Sequence, residues 1–250
     1  MVVQVREGLL TTDTRHKGTR VLVATAVPAE RDAVARALPP SGADPSGAGP
    51  DIDVLAVGVG PAAAAAGTAT ALARAAATGH PYGLVVSAGI GGGFAPDAPV
   101  GSLIVADEIT VADLGAETPD GFAPVTELGF GAITHRPPPA LVRETTDACA
   151  AATGTVLTGT VLTVSTVTGS ADRANELRRR HPRALAEAME GFGVAEAAAL
   201  HGLPVLEIRA VSNPVGPRDR DAWRIGDALA ALSDAFGKCA PVLRSWNTHD

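Results

Sequence analysis

The stretch from Leu185 to Asn213 constrains this chain more than any other. Leu185 to Met189 is a short apolar run that ends on Glu190. Gly191 to His201 is rich in alanine, the strongest helix former. Leu203 to Val211 is an apolar run with β-branched residues, and it stops at Ser212-Asn213-Pro214. A carboxylate therefore stands where a strand-like segment meets a helix, and a polar pair stands at the far end of the next strand. In open α/β sheets, ligands bind beyond the carboxyl ends of the strands. Glu190 and Asn213 both fall where such a site is expected. An acid in a first helical turn also simply favours the helix N-terminus, and this stretch alone leaves that reading of Glu190 open.

The same alternation runs along the chain. Arg20 to Ala26 reads as a buried strand, and Pro28 opens a helix from Ala29 to Leu38 with Glu30 in its first turn. Proline suits that position because its missing N–H would have no helical partner there. Residues 39–50 are a Pro/Gly/Ser loop. Asp53 to Val59 is a second strand, and Gly58-Val59-Gly60-Pro61-Ala62-Ala63 opens an alanine-rich helix to about Thr78. This is similar to a G-x-G-x-x-A dinucleotide fingerprint. That fingerprint also needs an acid about 20 residues on, and none stands between Asp53 and Asp97. Leu84 to Ala88 is a third strand, followed by Gly89-Ile90-Gly91-Gly92-Gly93, a run that lets backbone approach a ligand closely. An ordinary turn would not need so many glycines.

Ser102 to Val111 is a fourth strand, and the irregular 112–135 segment takes no assignment. Helices follow at Pro139 to Ala152 and Ala171 to Arg180, on either side of a β-rich segment from Thr155 to Val167. After the loop beginning at Pro214, a last helix runs from about Asp221 to Val242. Strands alternating with helices predict an α/β sheet with helices on its faces. No break in composition divides the chain. It is expected to be one domain over residues 20–250, after a loose extension over residues 1–19.

Composition narrows the function. Net charge is −7, so no basic face is available to neutralise phosphates, and nucleic acid is not an expected partner. No run approaches the roughly 18 apolar residues of a membrane span, and the N-terminus lacks the apolar stretch of a secretory signal. A cytoplasmic protein is expected. The histidines and cysteines show no metal-ligand spacing, and Cys149 and Cys239 read as reduced core residues. Aromatic residues make up 3% of the chain, so the core must be built from Ala, Val and Leu.

Five motifs, taken together and in order, resemble the purine nucleoside phosphorylase and nucleosidase superfamily. They are Ala26-Val27-Pro28-Ala29-Glu30, Val57-Gly58-Val59-Gly60, Ser87-Ala88-Gly89-Ile90-Gly91-Gly92, Ala188-Met189-Glu190-Gly191, and Arg209-Ala210-Val211-Ser212-Asn213. Within the superfamily they are most similar to the methylthioadenosine/S-adenosylhomocysteine nucleosidase branch, and there to the futalosine hydrolases. That resemblance implies a single-domain, three-layer α/β fold with a mixed, twisted central sheet flanked by helices. It also implies an oligomer, with a dimer favoured, no metal or organic cofactor, and a small nucleoside and water as the only partners in the reaction.

The roles of the residues follow from the resemblance. Cleaving an N-ribosidic bond builds positive charge on the ribose, the problem glycosidases also face. Glu190 would hold the sugar hydroxyls and favour the cation, with Met189 packed under the ring. Glu30 would orient and deprotonate the attacking water. Asn213 stands where adenine-specific relatives have Asp. Its amide cannot transfer a proton usefully but can donate a hydrogen bond to N7 or a 6-oxo oxygen, which points to hypoxanthine or guanine over adenine. Ser87, Ala88, Gly89 and Ser212 would line the substrate site, and Val167 and Thr168 fall near the base-stacking segment. Trp223, expected to begin the last helix, would cap the pocket or anchor that helix to the core. Arg218, ahead of Arg220, would read a substrate carboxylate; as a loop charge it could equally be only solvated. No Arg or Lys occurs from Val21 to Ala29 or from Leu84 to Val105, so these segments offer no cation for phosphate, and water is expected as the nucleophile.

Overall fold

A computed structural model describes residues 20–38, 52–150 and 154–246. The expected extension over 1–19, the 39–50 loop and the end of the expected helix at Ala152 lie outside the described residues. In chain order the elements are β1 (Val21–Thr25), α1 (Pro28–Ala37), β2 (Ile52–Ala56), α2 (Pro61–Ala77), β3 (Leu84–Gly93), β4 (Leu103–Val111), β5 (Gly115–Thr118), β6 (Gly121–Pro124) and β7 (Thr134–His135). They continue with α3 (Pro139–Ala150), β8 (Val156–Thr163), α4 (Ala171–Arg180), β9 (Ala184–Ala188), α5 (Gly191–Leu200), β10 (Val205–Pro214), a 3₁₀ turn (Arg220–Ala222) and α6 (Ile225–Ser245).

The architecture is the expected three-layer α/β arrangement. Along β1 the side chains alternate between two cores. Val21 and Val23 pack with α1, α3 and α6 through Val34, Leu141 and Phe236. Leu22 and Ala24 pack on the other face with α2 and α5 through Ala64, Leu72 and Val194. A strand covered on both faces reads as a continuous apolar run, which is why VLVAT carries no polar alternation. The sheet is mixed: β1 is parallel to β2 and β3, β10 is parallel to β3 and antiparallel to β4, and β9 is parallel to β8 and antiparallel to β3. Because β10 pairs with both β3 and β4, the strands β3, β9, β8, β4 and β10 join into a closed ring, with β1 and β2 continuing from β3.

Three expectations are corrected. The third strand does not stop at Ala88. It runs on through the glycines to Gly93, held by β10 on one side and by β9 at Gly92 and Gly93 on the other. The glycines there provide room. A Cβ on Gly91 would stand 2.9 Å from the Glu187 carbonyl oxygen, and one on Gly93 would stand 2.2 Å from that of Ala98. The 112–135 segment is partly ordered, as the β5–β6 hairpin and the short β7 paired with β4. The last helix begins at Ile225, so Trp223 precedes it, just after the 3₁₀ turn.

Low aromatic content is matched by close helix contacts. Gly193 of α5 sits so near α2 that a Cβ there would lie 2.1 Å from the Pro61 carbonyl oxygen. Alanine would add about 1 kcal/mol of helix propensity, but the obstructing atom is backbone and cannot rotate aside. Overpacking of this kind costs about 1–3 kcal/mol. Gly193→Ala is therefore expected to lower the urea midpoint of unfolding. An unchanged or higher midpoint would mean that the two helices separate freely.

Candidate active site

Four chain segments converge on one cavity of about 240 Å³. The β1–α1 junction supplies Ala26, Val27 and Glu30, the end of β3 supplies Ile90, Gly91 and Gly92, and the β9–α5 junction supplies Glu187, Ala188, Met189 and Glu190. The end of β10 and the loop beyond it supply Ser212, Asn213, Val215 and Trp223, while Val59, Val167 and Thr168 complete the wall. A larger groove of about 660 Å³ along Pro137, Pro138 and Pro139 contains none of the candidate residues.

Both acids are buried, and both are held by backbone. Glu30 lies in the first turn of α1 and reaches back. One carboxylate oxygen accepts the N–H groups of Ala26 at 2.9 Å and Val27 at 3.3 Å, and the other accepts that of Ile90 at 2.9 Å. Glu190 caps α5. One oxygen accepts the Gly60 N–H at 3.2 Å, and the other meets the Arg209 guanidinium at 3.3 Å. Gly60 aims its N–H at Glu190 from a left-handed conformation (φ 85°) that side chains with a Cβ rarely adopt. The G-x-G turn thus serves the carboxylate rather than a pyrophosphate. Both acids therefore border one hollow, with Asn213 opposite.

Asn213 and Glu187 stand at one level of the sheet, each paired in register with Gly92 from opposite sides. The Asn213 side-chain oxygen accepts the Ser212 hydroxyl at 2.8 Å, and its NH2 donates to the Pro214 carbonyl at 3.0 Å. With one lone pair of the oxygen and one NH2 hydrogen engaged, the second NH2 hydrogen and the oxygen's other lone pair are what this side chain has left to offer a ligand.

Some expected residues lie elsewhere. Ser87, Ala88 and Gly89 do not line the cavity; they stand one layer behind it. Ser87 is fully buried, and its hydroxyl oxygen accepts from Arg209 at 3.0 Å. Gly89 leaves room: a Cβ there would sit 2.5 Å from a Glu30 oxygen and 2.6 Å from an Arg209 nitrogen. The wall from this strand is instead Ile90, Gly91 and Gly92. Met189, Val167, Thr168, Ser212 and Trp223 do line the cavity. Arg218 does not, but its guanidinium lies 5.4 Å from the centre of the Trp223 ring, at the edge of the site.

Three charged residues escape the sequence reading. Arg209 is 1% exposed and comes from β10, not from either segment searched for a cation. Its Nε donates to Glu207 at 2.8 Å, and it meets Glu190 as well. Burial opposes the Arg209 charge, but Glu207, Glu190 and Glu30 hold its pKa above the ordinary guanidinium range. Glu207 is completely buried, and burial pushes its carboxyl up against the pull of Arg209. Glu187 accepts the Thr168 N–H at 2.8 Å and the Thr168 hydroxyl; burial pushes it up too, against those hydrogen bonds. The available signal was a charged residue inside an otherwise apolar strand: Glu207 and Arg209 at i and i+2 on one face, and Glu187 between two alanines.

Residues 48–244 match the model of the phosphorylase superfamily. The chain is 69% identical to a futalosine hydrolase of Streptomyces coelicolor, across 92% of this chain and 99% of that one. It is 47% identical to a futalosine hydrolase of Acidothermus cellulolyticus, across 86% and 88%. Its fold superposes with a TM-score of 0.74 on a 5′-methylthioadenosine/S-adenosylhomocysteine nucleosidase from Neisseria meningitidis in complex with methylthio-immucillin-A. That match is 18% identical and covers 90% of this chain and 100% of that one. Among the described residues no helix is long and apolar enough to cross a membrane.

The raised Glu187 carboxyl has a consequence for stability. A group whose folded pKa lies above its unfolded value, about 4.5 here, contributes stability below that value and loses it as pH rises through the folded one. Glu187→Gln cannot ionise at this position. Urea unfolding of both proteins from pH 4.5 upward is expected to move the difference in the variant's favour and then to level off once Glu187 is ionised in the folded protein. A difference independent of pH would show that Glu187 titrates as it does in the unfolded chain.

Proposed function

The chain belongs to the phosphorylase superfamily and to the futalosine hydrolases within it, and we propose that it hydrolyses the N-ribosidic bond of futalosine through Glu30, Glu190 and Asn213. The products are hypoxanthine and dehypoxanthine futalosine, a step of the futalosine route to menaquinone. The observation that supports the assignment of residues is that Glu30, Glu190 and Asn213 all line one cavity, both acids buried.

The reaction breaks the bond between C1′ and the purine nitrogen. The electron pair leaves with the base, and the ribose becomes cationic. Glu190 faces the sugar, and its negative charge is worth more as that cation forms than in the ground state, the condition for catalysis. Met189 packs beside it. Water adds to C1′ and gives its proton to Glu30, whose carboxylate is fixed by N–H groups from two segments and so loses little freedom on reacting. Asn213 donates an N–H to N7 or the 6-oxo oxygen, spreading the negative charge of the leaving base without itself transferring a proton. The freed base takes its proton from water, and Glu30 returns the proton it accepted to solvent. Ser212 fixes that amide by occupying its oxygen. A 6-amino group would instead have to be met by the amide oxygen, one lone pair of which Ser212 already takes. Val167, Thr168 and Trp223 enclose the base side.

Water rather than phosphate remains the expected nucleophile even with Arg209 present. Arg209 is shared between Glu190 and Glu207, and Glu30 adds a further carboxylate at the attack position. An incoming phosphate dianion would meet more negative charge than positive.

Incubating the protein with futalosine, inosine and methylthioadenosine without phosphate identifies the base it frees. Hypoxanthine from futalosine is the expected result. Release of adenine alone would favour a methylthioadenosine-type nucleosidase, and tight binding with no release would favour a nucleoside-binding protein. Asn213→Ala is expected to lower kcat on futalosine about 100-fold, and a loss under about threefold would remove the residue from the mechanism. We assign Arg218, stacked on Trp223 at the rim, to the substrate carboxylate by bidentate pairing. Arg218→Ala should raise KM for futalosine about tenfold or more while leaving KM for inosine nearly unchanged; equal changes would rule the assignment out.

A further inference from the structure

Glu207 is the least explained group in the molecule. It has no exposed surface, it sits inside β10, and it does not line the cavity. A carboxylate taken out of water carries a desolvation cost of several kcal/mol unless well paired. Glu207 is only half paired. One oxygen accepts from Arg209 Nε at 2.8 Å, while the other has no hydrogen-bond partner among the described residues. Room is made for it as well: a Cβ on Gly191 would lie 2.2 Å from one of its oxygens and 2.3 Å from the other. An acid kept at that cost, beneath the first residue of α5, calls for a role.

The role lies in how Arg209 is used. The guanidinium has three nitrogens, and each meets a different group. Nε meets Glu207, Nη1 meets Glu190, and Nη2 meets Ser87. A planar fork held at Nε has its other two nitrogens fixed in direction. From this geometry we infer that Glu207 is a positioning residue of the catalytic centre: it locks the plane of Arg209, which in turn sets where the Glu190 carboxylate stands relative to the ribose. Without Glu207, the Arg209 side chain keeps its charge but loses its fixed orientation. It is then free to close fully on Glu190 and draw that carboxylate away from the sugar. Glu190 matters most in the transition state, so the effect falls on kcat rather than on substrate binding.

This inference rests on the assignment of Glu190 made above, and the two fail differently. If the wild type frees no base from futalosine, the functional reading fails. If the wild type is active and Glu207 proves dispensable, only the present inference fails.

The test is a double-mutant cycle on the full chain, with futalosine as substrate and kcat and KM measured separately. Glu207→Leu is expected to lower kcat about 30-fold and to change KM less than about threefold. Arg209→Met is also expected to lower kcat. The decisive comparison is Arg209→Met against Arg209→Met/Glu207→Leu. If Glu207 acts through Arg209, the second substitution adds nothing, and the two agree within about threefold. A further tenfold loss in the double variant would mean that Glu207 acts independently, and would overturn the inference. So would Glu207→Leu with wild-type kcat. Removing Glu207 alone strands a buried charge, but replacing a buried ion pair with apolar residues is often neutral for folding. Arg209→Met alone leaves Glu207 unpaired, so Glu207→Gln is the second variant. It keeps the size of the side chain and an oxygen that accepts from Arg209 Nε. Its kcat is expected within about threefold of the wild type, and a loss of about tenfold or more in this variant would overturn the inference.

Discussion

A buried arginine shared among carboxylates is the constraint on which the site depends. Arg209 reaches Glu190 at the cavity wall and Glu207 behind it, with Glu30 close enough to help keep it charged. None of these groups could be buried alone, because an unpaired charge in the interior is too costly to keep. Together they hold one another. The excess of acids over the single base leaves the cavity side negative, which suits a sugar turning cationic and does not suit a phosphate.

The arrangement is possible because β3 gives up its side chains where the strands crowd. From Gly89 to Gly93 it is flanked by β10 on one side and, at its end, by β9 on the other. Glu30 and Arg209 both press on the space that a side chain at Gly89 would fill. The ring closed by β3, β9, β8, β4 and β10 brings the β9–α5 junction beside the end of β10. Glu187 and Asn213, 26 positions apart in sequence, thus stand on either side of Gly92, and Glu190 lines the same cavity as both. The helices α2 and α5 pack closely through glycine and alanine, and α2 begins at the turn whose Gly60 N–H holds Glu190. Packing and site are therefore one problem: a change of spacing between these helices moves a donor on the Glu190 carboxylate.

Much of this was legible from local pattern. Runs such as Val21–Thr25 and the alanine-rich Pro61–Ala77 declare strand and helix through propensity and burial, both properties of neighbouring residues. Glu30, Glu190 and Asn213 could be singled out because each stands at or just beyond the end of a strand-like run, and strand ends are where α/β sheets bind ligands. The glycine run is visible too, and by itself it signals only backbone that can approach a ligand closely. Its glycines are needed because other strands approach it, and that depends on pairings between segments far apart in the chain.

Sequence alone therefore determined the layered fold, the motif order that marks the family, and the junctions from which the principal site residues project. These follow from hydrophobic period and helix starts, which act over a few residues. Only the tertiary structure decided the electrostatics. It brought Arg209 to Glu190, placed Glu207 behind them, set Glu187 against Thr168, and moved the β3 wall from Ser87-Ala88-Gly89 to Ile90-Gly91-Gly92. A charge in a strand has no meaning until its partner is known, because what a buried ion costs or contributes depends on the group within a few ångströms of it. That group is chosen by the closing of the sheet, not by its place in the chain.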